Sequence, residues 1–150
     1  MSRNEKSVVL LVDDNEATCT LVAAILHREF EVEVASDGGE AIEKLKTKEY
    51  AAVLLDLRMP GIDGYDVLAF LKEHRPDVLR RVLVLTASLS PNELARVKDH
   101  EICGVIAKPF EIEAVLAGVK QCAGGEGFTR FFSSGMILLL AEVLRAGFRN

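Results

Sequence analysis

The sequence predicts an α/β protein with a doubly wound, five-stranded parallel sheet and helices on both of its faces. Short apolar runs, typical of strands buried within a parallel sheet, recur at 8–12, 51–55, 82–85 and 104–107. Segments with the periodicity of helices separate these runs. Polar side chains follow the runs directly, at the edge where open α/β sheets bind ligands.

In the first part of the chain, apolar spacing distinguishes helices from strands. After the run at 8–12, apolar residues recur on one helical face over 15–28. The segment 31–35 alternates charged and apolar residues, which indicates an edge strand. We expect 36–39 to turn the chain and 40–48 to form a second helix.

In the second part, turn and capping residues define the elements. Proline and glycine mark a loop at 58–64, and Asp63 is a candidate N-cap for a helix at 64–73. A serine–proline pair beginning at Ser90 predicts the start of the fourth helix. Its charged residues are expected to form a solvated face, with a partner or dimer surface as the alternative. The fifth helix, at 111–121, has apolar residues at i, i+3, i+4 and i+7.

Length, composition and cysteine usage predict one acidic, cytoplasmic main domain. The chain has 150 residues, of which 49% are hydrophobic, and a net charge of −5. This charge argues against a general affinity for nucleic acid or anionic membranes. The polar N-terminus contains no apolar signal core. Because Cys19, Cys103 and Cys122 match no metal or redox spacing, we expect reduced thiols.

The predicted topology brings distant polar residues to one edge of the sheet. Right-handed crossovers and the flavodoxin-like strand order 2-1-3-4-5 place strands one and three side by side. Asp13 and Asp14 would then lie next to Asp56. Thr86 and Lys108 follow strands four and five. The edge is therefore expected to collect three carboxylates, a hydroxyl and an ammonium group.

This set of side chains suits phosphoryl transfer assisted by a divalent cation. Three close carboxylates repel one another, and a hard cation relieves the repulsion. Oxygen ligands without a histidine or cysteine cluster favour Mg²⁺, with Mn²⁺ as its substitute. Asp56 could attack phosphorus and form an acyl phosphate. Thr86 could donate a hydrogen bond to the phosphoryl group, and Lys108 could supply a positive charge.

Four segments carry a resemblance to a known family. They are VVLLVDDNE at 8–16, VLLDLRMPGIDGYDVL at 53–68, VLVLTAS at 82–88 and VIAKPF at 105–110. Over 7–121 the chain resembles the receiver domain of bacterial two-component response regulators. The resemblance implies a Mg²⁺-dependent phosphorylation switch that receives its phosphoryl group from a histidine kinase or phosphotransfer protein.

The resemblance also implies a role for each site residue. Asp56 is implied to be the phosphoacceptor and a metal ligand. Asp14 is implied to bind Mg²⁺ directly, and Asp13 to act mainly through water. Thr86 and Lys108 are implied to bind the phosphoryl group.

Three further positions bear on this resemblance. The backbone carbonyl of Arg58 is implied to bind the metal, and its side chain could cover the phosphate. The resemblance implies that the Lys108–Pro109 bond is cis, and only before proline does the cis isomer cost little free energy. Val105 stands where the family usually has an aromatic residue that moves together with the threonine. A valine cannot make that ring displacement, so any switch is expected to use the fourth helix and its preceding loop.

Three functions are considered for this domain. The first is a signalling switch, not a metabolic enzyme, that passes its phosphorylation state to a partner protein. The second is a receiver-like scaffold that works without phosphorylation. The third and least favoured is a Mg²⁺-dependent phosphatase that forms an aspartyl phosphate. Phosphatases of the haloacid-dehalogenase type have a second aspartate where this chain has Arg58.

The domain is expected to span 1–122, followed at 123–150 by a glycine-rich linker and an apolar helix. The apolar run is shorter than the roughly 20 residues that cross a bilayer. This extension could pack on its own domain or a second copy, dock a protein or membrane surface, or be the stub of a longer or shifted reading frame. A homodimer could use it, or the face formed by the fourth helix, fifth strand and fifth helix. Because no helix-turn-helix pattern or basic face is present, we expect no direct DNA binding.

Overall fold

A computed structural model describes residues 5–87 and 90–124 as a five-stranded sheet flanked by helices. The strand order is β2-β1-β3-β4-β5, and every neighbouring pair is parallel. The strands are β1 (Ser7–Val12), β2 (Phe30–Ala35), β3 (Ala52–Asp56), β4 (Val82–Thr86) and β5 (Gly104–Ala107). The predicted fold class and strand order are confirmed.

Six helices connect or follow the strands in the described residues. They are α1 (Glu16–Leu26), α2 (Gly38–Thr47), α3 (Gly64–His74), α4 (Pro76–Leu79), α5 (Pro91–Lys98) and α6 (Ile112–Ala123). The short α4 was not predicted. Asp63 is confirmed as the N-cap of α3, where it forms a capping box with Asp66, and Ser90 caps α5. The predicted turn at 36–39 was too long, because Asp37 already caps a helix that begins at Gly38.

The helix α2 begins at Gly38, two residues before its predicted start, and this glycine lies against the loop after β3. Its backbone N–H donates to the carbonyl oxygen of Ile62 at 3.1 Å. A Cβ at this position would lie 2.3 Å from that oxygen. Only glycine permits this approach, which ties the start of α2 to the loop beside the sheet edge.

The side chains of the sheet divide alternately between two hydrophobic cores. On one face, Leu10, Val53 and Val84 pack with residues of α2, α3 and α5. On the other, strand residues such as Leu11 and Leu54 pack with residues of α1 and α6. Because the central strands are covered on both faces, they are apolar almost throughout.

The structure contradicts one expectation about the cysteines. Cys103, just before β5, forms a disulfide with Cys122 in the last turn of α6, and Cys19 is free. The prediction of three reduced thiols was therefore wrong for this pair. Their separation of 19 residues gave no sign that the fold brings the two Cα atoms to 5.8 Å.

The last segment of the chain and the possibility of a membrane span were both considered from the sequence. The expected apolar helix within 123–150 lies almost wholly outside the described residues. Among the described helices, none is long and apolar enough to cross a membrane.

Candidate functional site

Three carboxylates meet at the carboxyl edge of the sheet, as predicted. Asp13 and Asp14 directly follow β1, and Asp56 is the last residue of the neighbouring β3. Each offers a carboxylate oxygen within 4.8 Å of the other two. Asp13 and Asp56 are buried, whereas Asp14 is exposed. An open depression of about 560 Å³ borders Asp13 and Asp14.

Hydrogen bonds with backbone groups hold Asp13 in place. The N–H of Asp13 donates to the carbonyl oxygen of Ala35, at the end of β2, over 3.1 Å. The N–H of Asn15 donates to the Asp13 Oδ1 atom at 2.9 Å. Asn15 also caps α1, so the start of this helix and the orientation of the carboxylate are linked.

The loop after β3 is folded tightly around Asp56. Gly64 begins α3, and its N–H donates to the carbonyl oxygen of Leu57 at 3.1 Å. A Cβ on Gly64 would lie 2.3 Å from the backbone oxygen of Asp56. The N–H of Arg58 donates to the Asp56 Oδ1 atom at 3.3 Å. This loop therefore positions the carboxylate through its own backbone.

Lys108 extends into the acidic cluster from the end of β5. Its Nζ lies 2.9 Å from Asp13 Oδ2 and 3.7 Å from Asp56 Oδ2. Thr86, buried at the end of β4, pairs in register with Ala107, and its carbonyl oxygen accepts the N–H of Lys108 at 2.8 Å. The Lys108–Pro109 bond is cis, as the resemblance implied.

Asp56 is the titratable group most affected by this environment. Burial, followed by the charge of Asp13, raises the pKa of Asp56 to about 6. The ammonium of Lys108 and the N–H of Arg58 act in the opposite direction. The low dielectric around Asp56 disfavours its charged form, and one lysine does not fully compensate three carboxylates.

The donor set fits a hard divalent cation. In the part of the chain that the structure describes, this is the one cluster of three side chains suited to hold a metal ion, and all three offer carboxylate oxygens. Mg²⁺ prefers such ligands. Burial is the main cause of the raised pKa of Asp56, and the negative charge of Asp13, which a bound cation would offset, adds to it.

Sequence reasoning missed Glu93 in α5. We expected it on a solvated face, but it is buried and forms an ion pair with Arg58. In the next turn of α5, the Arg96 guanidinium carbon lies 3.5 Å from the centroid of the Tyr65 ring. Both pairs join α5 to the β3–α3 region, and their members are 35 and 31 positions apart in the chain. No short-range pattern identifies partners at that separation.

The fold and this edge define the class of the protein. The chain belongs to the response regulator receiver domain family, whose model matches residues 9–120. Receiver domains are signalling modules of two-component systems, so the family supports a role in phosphorylation-dependent signalling. The predicted family is confirmed.

Individual relatives agree with this assignment. The regulatory protein VanRB of Enterococcus faecalis is 31% identical over 139 residues, which are 91% of this chain and 62% of that protein. The transcriptional regulatory protein SrrA of Staphylococcus aureus is 37% identical over 115 residues, or 75% of this chain and 46% of that protein. The chain thus spans 46–62% of the length of these relatives.

A solved structure gives the same result. The chemotaxis protein CheY4 of Vibrio cholerae is 28% identical and superposes with a TM-score of 0.70, covering 79% of this chain and 99% of that one. This likeness agrees with the receiver fold derived above from the strand order.

Proposed function

We propose that this chain is a phosphorylation-controlled signalling switch in which Asp56 accepts a phosphoryl group from a histidine kinase or a phosphotransfer protein. A carboxylate oxygen of Asp56 attacks phosphorus as the P–N bond of a phosphohistidine breaks. The electron pair of that bond returns to the imidazole nitrogen, and the phosphoryl group remains on Asp56 as an acyl phosphate. The observation that carries the proposal is the convergence of Asp13, Asp14 and Asp56 beside Lys108.

The surrounding residues serve binding and charge compensation. Lys108 is already within 4 Å of Asp56 and can pair with a phosphoryl oxygen. Thr86, at the adjacent strand end, can donate its hydroxyl hydrogen to another. Because phosphoryl transfer depends mainly on positioning and electrostatics, no separate general acid is required. We propose slow self-hydrolysis rather than metabolic turnover.

A divalent cation completes the proposed site. The residues that would hold it are Asp13, Asp14 and Asp56, with the backbone carbonyl of Arg58. Mg²⁺, or Mn²⁺ in its place, supplies positive charge that offsets the repulsion between the acceptor carboxylate and the incoming phosphoryl oxygens. The oxygen-only donor set supports this choice.

Intact-mass measurement tests the proposal without knowledge of the kinase. With acetyl phosphate and Mg²⁺, the protein should gain one phosphoryl group. Asp56→Asn should gain none, and chelation of Mg²⁺ should abolish the modification of the wild type. Equal modification of the variant would assign the phosphoryl group to another residue.

A phosphorylation-independent scaffold is the second candidate, and Val105 favours it. This residue is buried in the core beside β4, so no ring is available there to couple with Thr86. Beryllofluoride with Mg²⁺ separates the two candidates, because a switch should bind this acyl-phosphate mimic and change its NMR spectrum. A scaffold that needs no phosphorylation should not bind it.

We also propose that the output partner of the domain is another protein in the cytoplasm rather than DNA. The net charge of −5 supports this, since DNA attracts basic surfaces. A gel-shift assay with random duplex DNA at low salt should show no complex. Homodimerisation through the α5–β5–α6 face or the C-terminal segment remains a proposal for sedimentation analysis.

A further inference from the structure

Arg58 connects the phosphoacceptor loop to α5 through a single ion pair. It stands two positions after Asp56, and its backbone N–H already donates to the Asp56 carboxylate. Its guanidinium extends in another direction and donates from Nη2 to Oε1 of Glu93, in the first turn of α5. One residue therefore contacts both the acceptor carboxylate and the helix.

Glu93 depends on this contact for its charge compensation. The Glu93 side chain is only 12% exposed, whereas that of Arg58 is 65% exposed. The Oε2 atom of Glu93 is buried and has no hydrogen-bond partner among the described residues. A buried carboxylate that loses its cation is destabilised far more than an exposed one. Displacement of Arg58 would thus leave the buried Glu93 carboxylate uncompensated and destabilise the position of α5.

A second contact shows how α5 is held to the domain. The Arg96 guanidinium stacks on the Tyr65 ring of α3, and the Tyr65 hydroxyl is buried without a hydrogen-bond partner among the described residues. Val105 in β5 packs in the same core as α5 and carries no ring that could move. The Arg96–Tyr65 contact holds α5 to α3, whereas the contacts that connect Asp56 with α5 are those of Arg58 with Asp56 and with Glu93.

We propose that Glu93 and the phosphoryl group on Asp56 compete for the guanidinium of Arg58, so that phosphorylation releases Glu93 and loosens α5. This inference rests on the proposed function of Asp56. A phosphoryl group brings up to two negative charges and three acceptor oxygens, which suit the planar guanidinium better than one carboxylate oxygen does. Arg58 is exposed and long, so its side chain is free to turn toward its own loop.

A double-mutant cycle on beryllofluoride binding tests the competition. Glu93→Gln removes the competing charge, so Arg58 becomes available and beryllofluoride with Mg²⁺ should bind about two- to fivefold more tightly. Arg58→Gln should weaken binding. In the Arg58→Gln background, Glu93→Gln should have no further effect. Glu113→Gln is the matched control, since Glu113 is an exposed glutamate in the first turn of α6.

Hydrogen exchange of α5 provides the second measurement. Beryllofluoride should speed amide exchange in Pro91–Lys98 of the wild type, and Arg58→Gln should abolish this increase. If Glu93→Gln fails to fold, Glu93→Leu removes the charge while keeping an apolar side chain of similar size at the buried position.

The outcomes separate the two proposals. If the wild type binds beryllofluoride but Glu93→Gln leaves the affinity unchanged or weaker, or tightens it equally with and without Arg58, competition is refuted and the phosphoacceptor role stands. If the wild type neither binds beryllofluoride nor accepts a phosphoryl group, both proposals are wrong.

Discussion

At the scale of single residues, the chemistry of the site depends on Asp56, a carboxylate whose surroundings disfavour its charged form. Asp56 is buried next to Asp13, and Lys108 lies closer to Asp13 than to Asp56. Asp56, the proposed phosphoacceptor, is thus the less compensated of the two buried carboxylates. A bound cation would favour the charged form of such a carboxylate, so metal binding is expected to prepare Asp56 for its proposed role as nucleophile.

The raised pKa of Asp56 predicts how stability changes with pH when divalent cations are chelated. Because the folded pKa of about 6 exceeds the ordinary aspartate pKa of 3.8, the folded state binds the proton more tightly than the unfolded state does. Stability should therefore fall as pH rises from about 4 to about 6, and the full cost should be present above that window. Asp56→Asn should raise the free energy of unfolding at pH 8 by at most about 3 kcal/mol.

Urea unfolding of the wild type and Asp56→Asn at pH 4.5 and pH 8, in the presence of a chelator, measures this difference. The advantage of the variant should shrink at the lower pH, where Asp56 is neutral in the folded protein. An advantage of equal size at both pH values would show that it has another cause.

At the scale of elements, the glycine at the start of α3 fixes the loop that follows β3. Gly64 lies so close to the Asp56 backbone that a Cβ has no room, because the neighbouring atoms are backbone and cannot rotate away. We therefore expect Gly64→Ala to lower the free energy of unfolding by about 3 kcal/mol and to slow phosphorylation by acetyl phosphate. Urea unfolding and intact-mass time courses measure both effects.

Gly39→Ala is the matched control for this prediction. Gly39 is also in the first turn of a helix, but its Cβ would meet only side-chain atoms, the nearest at 3.3 Å. Its stability should stay within about 1 kcal/mol of the wild type, since alanine favours helices over glycine. Equal losses in both variants would mean that crowding at Asp56 is not the cause.

The disulfide joins the turn before β5 to the end of α6. It closes a loop of 19 residues, so its reduction should cost about 3 kcal/mol of stability through the restored freedom of the unfolded chain. Urea unfolding with and without a reductant measures the cost. The double variant Cys103→Ala/Cys122→Ala should be insensitive to reductant, and Cys19→Ala should respond as the wild type does. A wild type that reductant leaves unchanged would contradict the pairing.

At the scale of the whole molecule, the sequence predicts those features of the fold that follow from repeated spacing of apolar residues along the chain. Apolar runs and helical spacing define the strands and helices, and their alternation predicts the sheet order and the meeting of Asp13 with Asp56. Two other contacts between distant side chains were missed, since they depend on how the helices pack. Glu93 pairs with Arg58, and Cys103 with Cys122, and no local sequence spacing indicates either pair.

We predict that the folded unit of the molecule ends near residue 122. Among the described residues, both hydrophobic cores lie between Val8 and Ala123, and the candidate site extends from Asp13 to Lys108. A chain that ends at Gly124 should therefore fold with a melting temperature near that of the full chain, and it should bind Mg²⁺ and accept a phosphoryl group as the full chain does. The apolar composition of 125–150 predicts that this truncation changes the oligomeric state or the solubility.

Calorimetry, intact-mass analysis and sedimentation of the two chains measure these three properties. Loss of folding in the shorter chain would show that the segment after Gly124 completes a core, contrary to the expected domain boundary near residue 122. An unchanged oligomeric state and solubility would remove the reason to assign this segment to association. Normal phosphorylation with altered association would instead place signal reception and assembly in separate parts of one chain, because the acidic site and the apolar segment share no residue.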